Sequence, residues 1–183
     1  MNLVSPIRDD ETVKQVKREA RKIGVRPYVL ILLGLNTGLR ISDLLKVTAG
    51  DIRKGFIILR EQKTGKQTEI RVNPAVLSEI RTLTSTYKDD QPLAYSTNKR
   101  RKNRSVHRHT AYNWIQKACR RAGFLEPVGN HTMRKTFGYH YYMGNRNVAE
   151  LMLMFNHSSE KITMRYIGIT QEKINKGREK FRL

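Results

Sequence analysis

The sequence predicts an α+β fold that is mainly α-helical and carries one small antiparallel β-hairpin. Most of the chain consists of segments in which apolar residues recur at helical spacing between capping residues. One pair of segments, residues 56–62 and 67–72, instead alternates with period two around a short turn. With 38% hydrophobic residues, the 183-residue chain can bury a real core. We therefore expect a single domain over residues 1–183.

Two helices are predicted at the start of the chain. Residues 9–24 begin with acidic side chains and end with basic ones, as the helix dipole favours. The next helix starts near Pro27 and contains residues 29–33, which are apolar on all sides. That run could also be a buried strand, but its leucine content and its length favour a buried helix. Gly38 is placed to end this helix in the left-handed conformation.

A short third helix follows, with Ile41, Leu44 and Leu45 facing inward. Arg40 stands at its start, where a cation gains nothing from the helix dipole. Asp43, three residues later, could orient this arginine, or the two could form an ordinary surface ion pair. Because the dipole does not favour Arg40, its position indicates another role.

The predicted hairpin buries one face and presents a basic turn. Alternate residues of the two strands supply the buried face: Ile57, Leu59, Thr68, Ile70 and Val72. Lys63 and Lys66 lie in the turn. Such a turn is often merely solvated, but a hairpin tip can also deliver an ammonium group into a groove.

Residues 96–109 are predicted to form a basic loop without apolar periodicity. Its cations are Lys99, Arg100, Arg101, Lys102, Arg104 and Arg108. His107 and His109 are assigned to the same loop. We expect it to be mobile and to become ordered on DNA phosphates, with a solvated loop as the alternative.

Further helices are predicted over residues 74–86, 110–123, 129–142, 147–155 and 158–165, with a charged helix or tail over 171–181. Asn130 is expected to cap the helix that contains His131 and Arg134. Cys119 is expected to be a small buried residue rather than a nucleophile. His140 is expected to be structural.

The charge of the chain indicates a polyanionic partner. Lys and Arg number 36 and Asp and Glu 16, a formal net charge of +20. Nucleic acid is favoured over an anionic membrane, since no basic amphipathic helix dominates. The longest apolar run, residues 28–35, is too short to span a bilayer, so we expect a soluble cytoplasmic protein. One Cys and five scattered His form no zinc pattern, and we expect neither metal nor cofactor.

Residues near the carboxyl end could perform phosphoryl transfer. His131 and Arg134 are three apart and point the same way on a helix, where they could hold a phosphate. Tyr166, nine residues after His157, could be a nucleophile. A tyrosine that attacks a phosphodiester conserves the bond energy as a phosphotyrosine, so the step can be reversed without ATP.

Five motifs in one order carry a resemblance to a known family. They are TGLRISDLL at 37–45, KTGK at 63–66, HTMR at 131–134, NHS at 156–158 and RY at 165–166. Together they resemble the catalytic domain of the tyrosine recombinases, or phage integrases, over roughly residues 13–168. The resemblance implies the tyrosine-recombinase catalytic fold. It also implies site-specific DNA recombination through a 3′-phosphotyrosyl intermediate, in the integration or excision of a phage or mobile element.

The resemblance also assigns roles to single residues. It implies that Arg40 and Arg134 clamp the scissile phosphate, with Asp43 supporting Arg40. It implies that Tyr166 is the nucleophile and that His131 manages a proton beside it.

Three more residues receive roles from the same resemblance. Lys63 matches the hairpin lysine that acts as general acid. Lys66 is a second candidate, better suited to a DNA backbone contact. His157 matches a position that donates a hydrogen bond to the phosphate.

The implied partners are duplex DNA attachment sites and further copies of the chain. The family forms a tetramer on synapsed DNA, so we expect a monomer when free and packing of residues 171–183 on a neighbour when assembled. Accessory DNA-bending proteins are compatible with this picture. Family members commonly carry an N-terminal DNA-clamping domain, and we expect this chain to lack it, because few residues precede its first helix.

Two other functions stay open. A DNA-binding regulator could keep the fold without the chemistry, although such a protein has no need of Tyr166. A topoisomerase of type IB would use the same chemistry without strand exchange.

Overall fold

The computed structural model describes residues 4–60, 67–101 and 104–169, with positions 175, 178, 179, 181 and 182. In chain order the elements are α1 (Asp10–Ile23), α2 (Val25–Thr37), α3 (Ile41–Leu44), α4 (Ala49–Lys54), β1 (Phe56–Arg60), β2 (Gln67–Arg71), α5 (Pro74–Leu83), a 3₁₀ turn (Lys99–Arg101), α6 (Arg108–Arg121), α7 (Thr132–Asn145), α8 (Val148–Phe155) and α9 (Glu160–Tyr166). The predicted class, mainly α-helical with one small antiparallel sheet, is confirmed.

The first three helices form where the sequence predicts them. Asp9 caps α1, and its carboxylate accepts a hydrogen bond from the Thr12 N–H at 2.7 Å. Helix α2 is buried along residues 27–34 and forms the centre of the core. It ends at Gly38, whose φ of 63° is left-handed. A Cβ there would also meet Phe137 at 2.3 Å, so glycine is required twice over.

Helix α4 was not predicted, although its signal is local. Thr48 and Asp51 form a reciprocal capping box, in which each side chain accepts from the other residue's backbone N–H. Ala49 and Ile52 are the buried residues of this helix. Aspartate in place of the usual Glu or Gln makes this box less conspicuous in sequence.

The two strands pair in antiparallel fashion, with Ile57 opposite Ile70. Ile57 and Val72 are buried, as predicted, and Ile70 is partly buried. Thr68, however, is exposed, so its assignment to the buried face is wrong. Thr68 lies nearer the turn than the buried Ile57 and the partly buried Ile70. The Leu59 side chain, and Lys63 and Lys66 entirely, lie outside the described residues.

Residues 96–109 are more regular than a basic loop. The Ser96 N–H donates to the Arg104 carbonyl, and the Val106 N–H donates to the Ala94 carbonyl, both at 2.8 Å. These bonds close the base of the segment. His107 occupies the N-cap of α6, with Arg108 and His109 in its first turn, so their assignment to the loop was wrong. Helix α6 starts there because its apolar stripe already begins at Ala111.

The start of α7 also differs from the prediction. His131, not Asn130, occupies the N-cap position, and its side chain makes no capping bond. A tight turn precedes the helix instead: the Thr132 hydroxyl accepts from the Gly129 N–H at 2.9 Å. The Asn130 Oδ1 is buried and has no partner in the described part of the chain. The turn thus replaces the predicted asparagine cap.

A second, smaller core lies beneath the carboxyl-terminal helices. Leu151, Phe155 and Ile167 are fully buried there. Partly buried residues surround them, among them Phe137, Tyr139, Tyr141 and Tyr142. Gly138 lets α7 approach this core, because a Cβ would stand 2.7 Å from Phe155 and 2.8 Å from Ile167. This core sets the relative positions of α7, α8 and α9.

Two isolated predictions are confirmed. Cys119 is fully buried in the main core, and burial raises its pKa to about 12, which fits packing rather than nucleophilic chemistry. His140 is structural, since its Nε2 lies 2.9 Å from the Ile7 carbonyl. None of the helices in the described part of the chain has the length and apolarity needed to cross a membrane.

Candidate active site

Five of the residues singled out in the sequence meet at one place. Arg40 and His131 occupy the N-cap positions of α3 and α7, and Arg134 lies in the first turn of α7. His157 follows the end of α8, and α9 ends at Tyr166. Arg40 and Tyr166, the outermost pair, lie 166 − 40 = 126 positions apart, so tertiary packing alone creates the cluster.

Arg134 is the buried centre of the cluster, with 5% of its surface exposed. One terminal nitrogen donates to the Gly38 carbonyl at 2.5 Å and the other to the Phe155 carbonyl at 3.1 Å. Both carbonyls lie at helix ends, where backbone acceptors lack intrahelical partners. Burial lowers the pKa of Arg134 to about 10, so the guanidinium keeps its charge at neutral pH.

Arg40 reaches the same acceptor from the other side. Its Nη2 donates to the Phe155 carbonyl at 3.3 Å, although the residue as a whole is exposed. The carbonyl at the end of α8 therefore holds two guanidinium groups next to one another. Two adjacent arginines, one buried and one exposed, form a fork suited to the oxygens of a phosphate.

Asp43 does not pair with Arg40 as expected. In the described part of the chain, where both residues lie, no ion pair joins them, and Arg40 extends toward Phe155 instead. The Asp43 carboxylate acts on Arg134, whose pKa it raises against the effect of burial. The assignment of Asp43 as a support for Arg40 stays a prediction.

Tyr166 points its hydroxyl at His131. The Oη lies 3.0 Å from the His131 Nδ1. Burial raises the pKa of the Tyr166 phenol above its ordinary value, while the nearby Arg134 and Arg40 act in the opposite direction. The phenol is thus protonated at neutral pH, and it must lose its proton to become a strong nucleophile.

His131 is suited to accept that proton. Partial burial lowers its pKa, as do four surrounding cations: Arg134, Lys135, Arg108 and Arg40. The imidazole is therefore neutral at pH 7. In the tautomer with the proton on Nε2, Nδ1 is free to accept from the Tyr166 hydroxyl.

His157 stacks edge-on against the tyrosine. Its ring centroid lies 5.0 Å from that of Tyr166, and its Nδ1 lies 3.0 Å from the Thr163 hydroxyl. Burial and the two arginines lower the pKa of His157. A neutral His157 donates from Nε2 in the tautomer whose Nδ1 accepts from the Thr163 hydroxyl. In that arrangement the hydroxyl does not donate to the Ser159 carbonyl, which lies 3.2 Å away.

The predicted DNA-contacting residues are only partly brought to the site. Arg108 lies close enough to lower the pKa of His131. Lys99, Arg100 and Arg104 are exposed. The Arg101 side chain and all of Lys102 lie outside the described residues, as do Lys63 and Lys66.

The sequence reasoning missed one neighbour of the nucleophile. The Lys135 ammonium lies 5.2 Å from the centroid of the Tyr166 ring and donates to the Val4 carbonyl at 2.7 Å. Its signal was available, since Lys135 stands four residues after His131 and shares its helix face. The Phe155 and Gly38 carbonyls had no such signal, because any residue type supplies a carbonyl.

Comparisons with known proteins indicate the family and the fold of the chain. The model of the phage integrase family matches residues 8–173. The chain is 38% identical over 173 residues to the probable integrase/recombinase YoeC of Bacillus subtilis strain 168, covering 94% of this chain and 93% of YoeC.

Solved structures share the fold at lower identity. The crystal structure of XerA recombinase has a TM-score of 0.75 at 16% identity, covering all of this chain and 66% of that one. The XerH recombinase bound to its palindromic difH substrate, a post-cleavage complex, also has a TM-score of 0.75 at 16% identity. That match covers 97% of this chain, which spans 53% of the XerH chain.

Proposed function

The chain belongs to the phage integrase family, and on this premise we propose that it breaks and rejoins duplex DNA at specific sites through a 3′-phosphotyrosyl intermediate. One observation carries the proposal: the His131 Nδ1 lies 3.0 Å from the Tyr166 hydroxyl, beside two arginines held on one carbonyl. Residues 1–183 would act as one catalytic domain. Integration or excision of a mobile element is the proposed setting.

In the proposed cleavage step, Tyr166 attacks the scissile phosphorus. Its Oη forms the new P–O bond, and its proton passes to the His131 Nδ1. Arg134 and Arg40 neutralise the charge that builds up on the non-bridging oxygens, and His157 donates to one of them. The bond from phosphorus to the 5′ oxygen breaks as this oxygen takes a proton from a general acid, for which Lys63 is proposed, leaving a 3′-phosphotyrosine and a 5′ hydroxyl. A 5′ hydroxyl of the same or another strand then attacks the phosphotyrosine, and the phosphoryl and proton transfers run in reverse.

The direct test is to capture the covalent protein–DNA adduct. Because the target sequence is unknown, the DNA is a randomised pool. A pool of nicked duplexes with a randomised centre is incubated with the protein, and adducts are isolated by denaturing electrophoresis and sequenced. Cleavage next to a nick releases the short fragment that carries the 5′ hydroxyl. Without this hydroxyl the reverse reaction cannot occur, so the adduct accumulates. We expect an adduct enriched for one sequence. DNA binding without any adduct would contradict the proposal and favour a regulator.

The proposed general acid is Lys63, an assignment that comes from the family motif alone. Lys63→Ala should slow cleavage of ordinary DNA by about 10²-fold or more, the usual scale for a positioned acid. A substrate with sulfur at the 5′-bridging position should be cleaved almost normally, because a thiolate leaves without a proton. Single-turnover rates on both substrates make the comparison. Equal losses on the two would exclude Lys63 as the proton donor, and Lys66→Ala on the same two substrates tests the second candidate.

The basic segment 96–104 is proposed to contact the DNA backbone. Neutralising Arg100, Arg101 and Lys102 together should make the dependence of log affinity on log salt shallower by up to about 2.7, since each lost phosphate contact removes about 0.9. Fluorescence anisotropy across a salt series measures this slope. Replacing Arg18, Lys54 and Lys88, three exposed cations, controls for net charge. An unchanged slope would show that the segment does not touch phosphates.

Assembly on DNA is proposed as well. Recombination requires two sites, and the family resemblance suggests a ring of four subunits linked by residues 171–183. That segment lies largely outside the described residues. The exposed Leu153, Met154 and Ile162 on α8 and α9 offer an apolar surface compatible with such contacts.

A further inference from the structure

Lys135 faces the nucleophile but has no part in the mechanism above. It stands next to Arg134 on α7, and its ammonium lies over the ring of Tyr166 at 5.2 Å. His131 contacts the hydroxyl of the same tyrosine. Because His131 and Lys135 are four residues apart, one helix face contacts both the hydroxyl and the ring of Tyr166.

The ammonium of Lys135 is anchored by residues 4–8, here called the N-terminal segment. It donates to the Val4 carbonyl at 2.7 Å, across 131 positions of sequence. The segment is itself firmly held: the Ser5 N–H donates to the Pro127 carbonyl, and the Ile7 N–H donates to the Thr136 hydroxyl, both at 2.9 Å. Ile7 is fully buried. Lys135 thus joins two parts of the structure.

The same segment packs on the chain on both sides of the site. Before α7, a Cβ on Gly129 would stand 2.7 Å from the Val4 side chain. After α9, a Cβ on Gly168 would stand 3.1 Å from the Arg8 guanidinium and 3.3 Å from Pro6. Gly168 is two residues beyond Tyr166. The N-terminal segment therefore contacts both the loop that precedes His131 and the turn that follows the nucleophile.

We propose that Lys135 is a positioning residue, which holds the ring of Tyr166 for attack and links that orientation to the seating of the N-terminal segment. The proposal rests on the proposed function. It gives residues 4–8 a role beyond packing: when the segment is displaced, Lys135 loses its carbonyl anchor and the tyrosine loses a cation from its ring. Cleavage would then be fast only while the segment is seated.

The charges around these groups fix the sign of the expected effect. Tyr166 is faced by His131, His157, Arg134, Arg40 and Lys135. The cations among them favour the ionised phenolate. Arg8 faces Lys135 and, together with burial, lowers the pKa of its ammonium. Removing the Lys135 cation should therefore make the Tyr166 phenol harder to ionise.

The first test is kinetic. Lys135→Met, which keeps the length of the side chain but not its charge, should slow adduct formation by about tenfold. Lys135→Arg should restore most of the rate, because a guanidinium also binds a carbonyl and an aromatic face. Lys14→Met, a change of an exposed lysine on α1, is the matched control. A rate within twofold of wild type for Lys135→Met would overturn the proposal.

The second test needs no DNA and so separates this inference from the proposed function. The protein is labelled with fluorinated tyrosine, which ionises at lower pH, and the Tyr166 signal is identified by its loss in Tyr166→Phe. In ¹⁹F spectra, Lys135→Met should raise the pKa of residue 166 by about half to one unit, a shift of the size that one nearby cation produces. Lys135→Arg should leave it unchanged. The proposal would be overturned if Lys135→Met slowed adduct formation without changing the pKa of Tyr166 and Lys135→Arg did not restore the rate. Lys135 would then have only a structural role.

The link to the N-terminal segment is tested by a double mutant. Thr136→Val removes the acceptor of the Ile7 N–H with little change in volume. It should slow adduct formation about threefold alone and add nothing in the Lys135→Met background, since coupled residues are not additive. Additive effects would refute the link. If wild-type protein forms no adduct on the DNA pool, the proposed function fails, while the ¹⁹F measurement still decides the role of Lys135.

Discussion

Replacing Tyr166 by Phe should abolish the covalent adduct. The change removes only the attacking oxygen, and the loss of a nucleophile lowers turnover by at least about 10⁴-fold. The ring keeps its contacts with Phe155 and His157. The hydroxyl loses its hydrogen bond to His131, which contributes about 1 kcal/mol to stability, and its interaction with Arg134. DNA affinity should therefore stay within about twofold of wild type, since a single neutral hydroxyl adds little to phosphate binding.

Denaturing electrophoresis of nicked-duplex reactions measures the adduct, and fluorescence anisotropy measures the affinity. Tyr142→Phe is the matched control, because Tyr142 is a partly buried tyrosine around the same small core. It should form adduct at the wild-type rate. Adduct formation by Tyr166→Phe would assign the nucleophile to another residue.

Replacing Arg134 and replacing Arg40 should slow cleavage alike but should differ in their effects on stability. Arg134→Ala leaves the Gly38 carbonyl without its charged donor, while the Phe155 carbonyl keeps only the 3.3 Å bond from Arg40. Because Arg134 is buried, we expect a loss of roughly 3 kcal/mol in the free energy of unfolding, or about 6 to 12 °C in the melting temperature of a chain of this size. Arg40→Ala removes an exposed side chain with one 3.3 Å bond and should change stability by less than about 1 kcal/mol.

Both variants should lose cleavage by about 10²-fold to 10³-fold, the range for removing one donor to a developing anion. Arg134→Lys keeps a cation without the planar fork, so it should recover part of the stability and little of the cleavage. Thermal unfolding and single-turnover adduct formation give the two quantities. Arg134→Ala at wild-type stability would show that its carbonyl bonds do not support the fold. A fully active Arg40→Ala would remove Arg40 from the phosphate clamp.

Local interactions explain why much of the fold was predictable. Asp9, Asn147 and Ser159 each cap a helix by accepting from a backbone N–H three residues later. Gly38 ends α2 because its own conformation is left-handed. Such interactions act within a few residues, so the sequence alone contains them. The capping box of α4 is of the same kind and could have been predicted.

The failures came where a local preference competes with tertiary contacts. Asn130 is a good capping residue, yet a turn closed by Gly129 and Thr132 displaces it. Thr68 has the right alternation for the buried face, yet it is exposed near the turn of the hairpin. In each case the residue type was suitable, and a neighbouring element decided the outcome.

By itself the sequence determined the identities of the candidate catalytic residues, their order and the helices that carry them, because spacing along a helix is a local property. Only the tertiary structure decided how they meet. The Phe155 carbonyl receives Arg40 across 115 positions and Arg134 across 21, and His131 meets Tyr166 across 35. The Val4 carbonyl receives Lys135 across 131. Backbone carbonyls carry no residue-specific signal, so the folded chain alone reveals which side chains they hold.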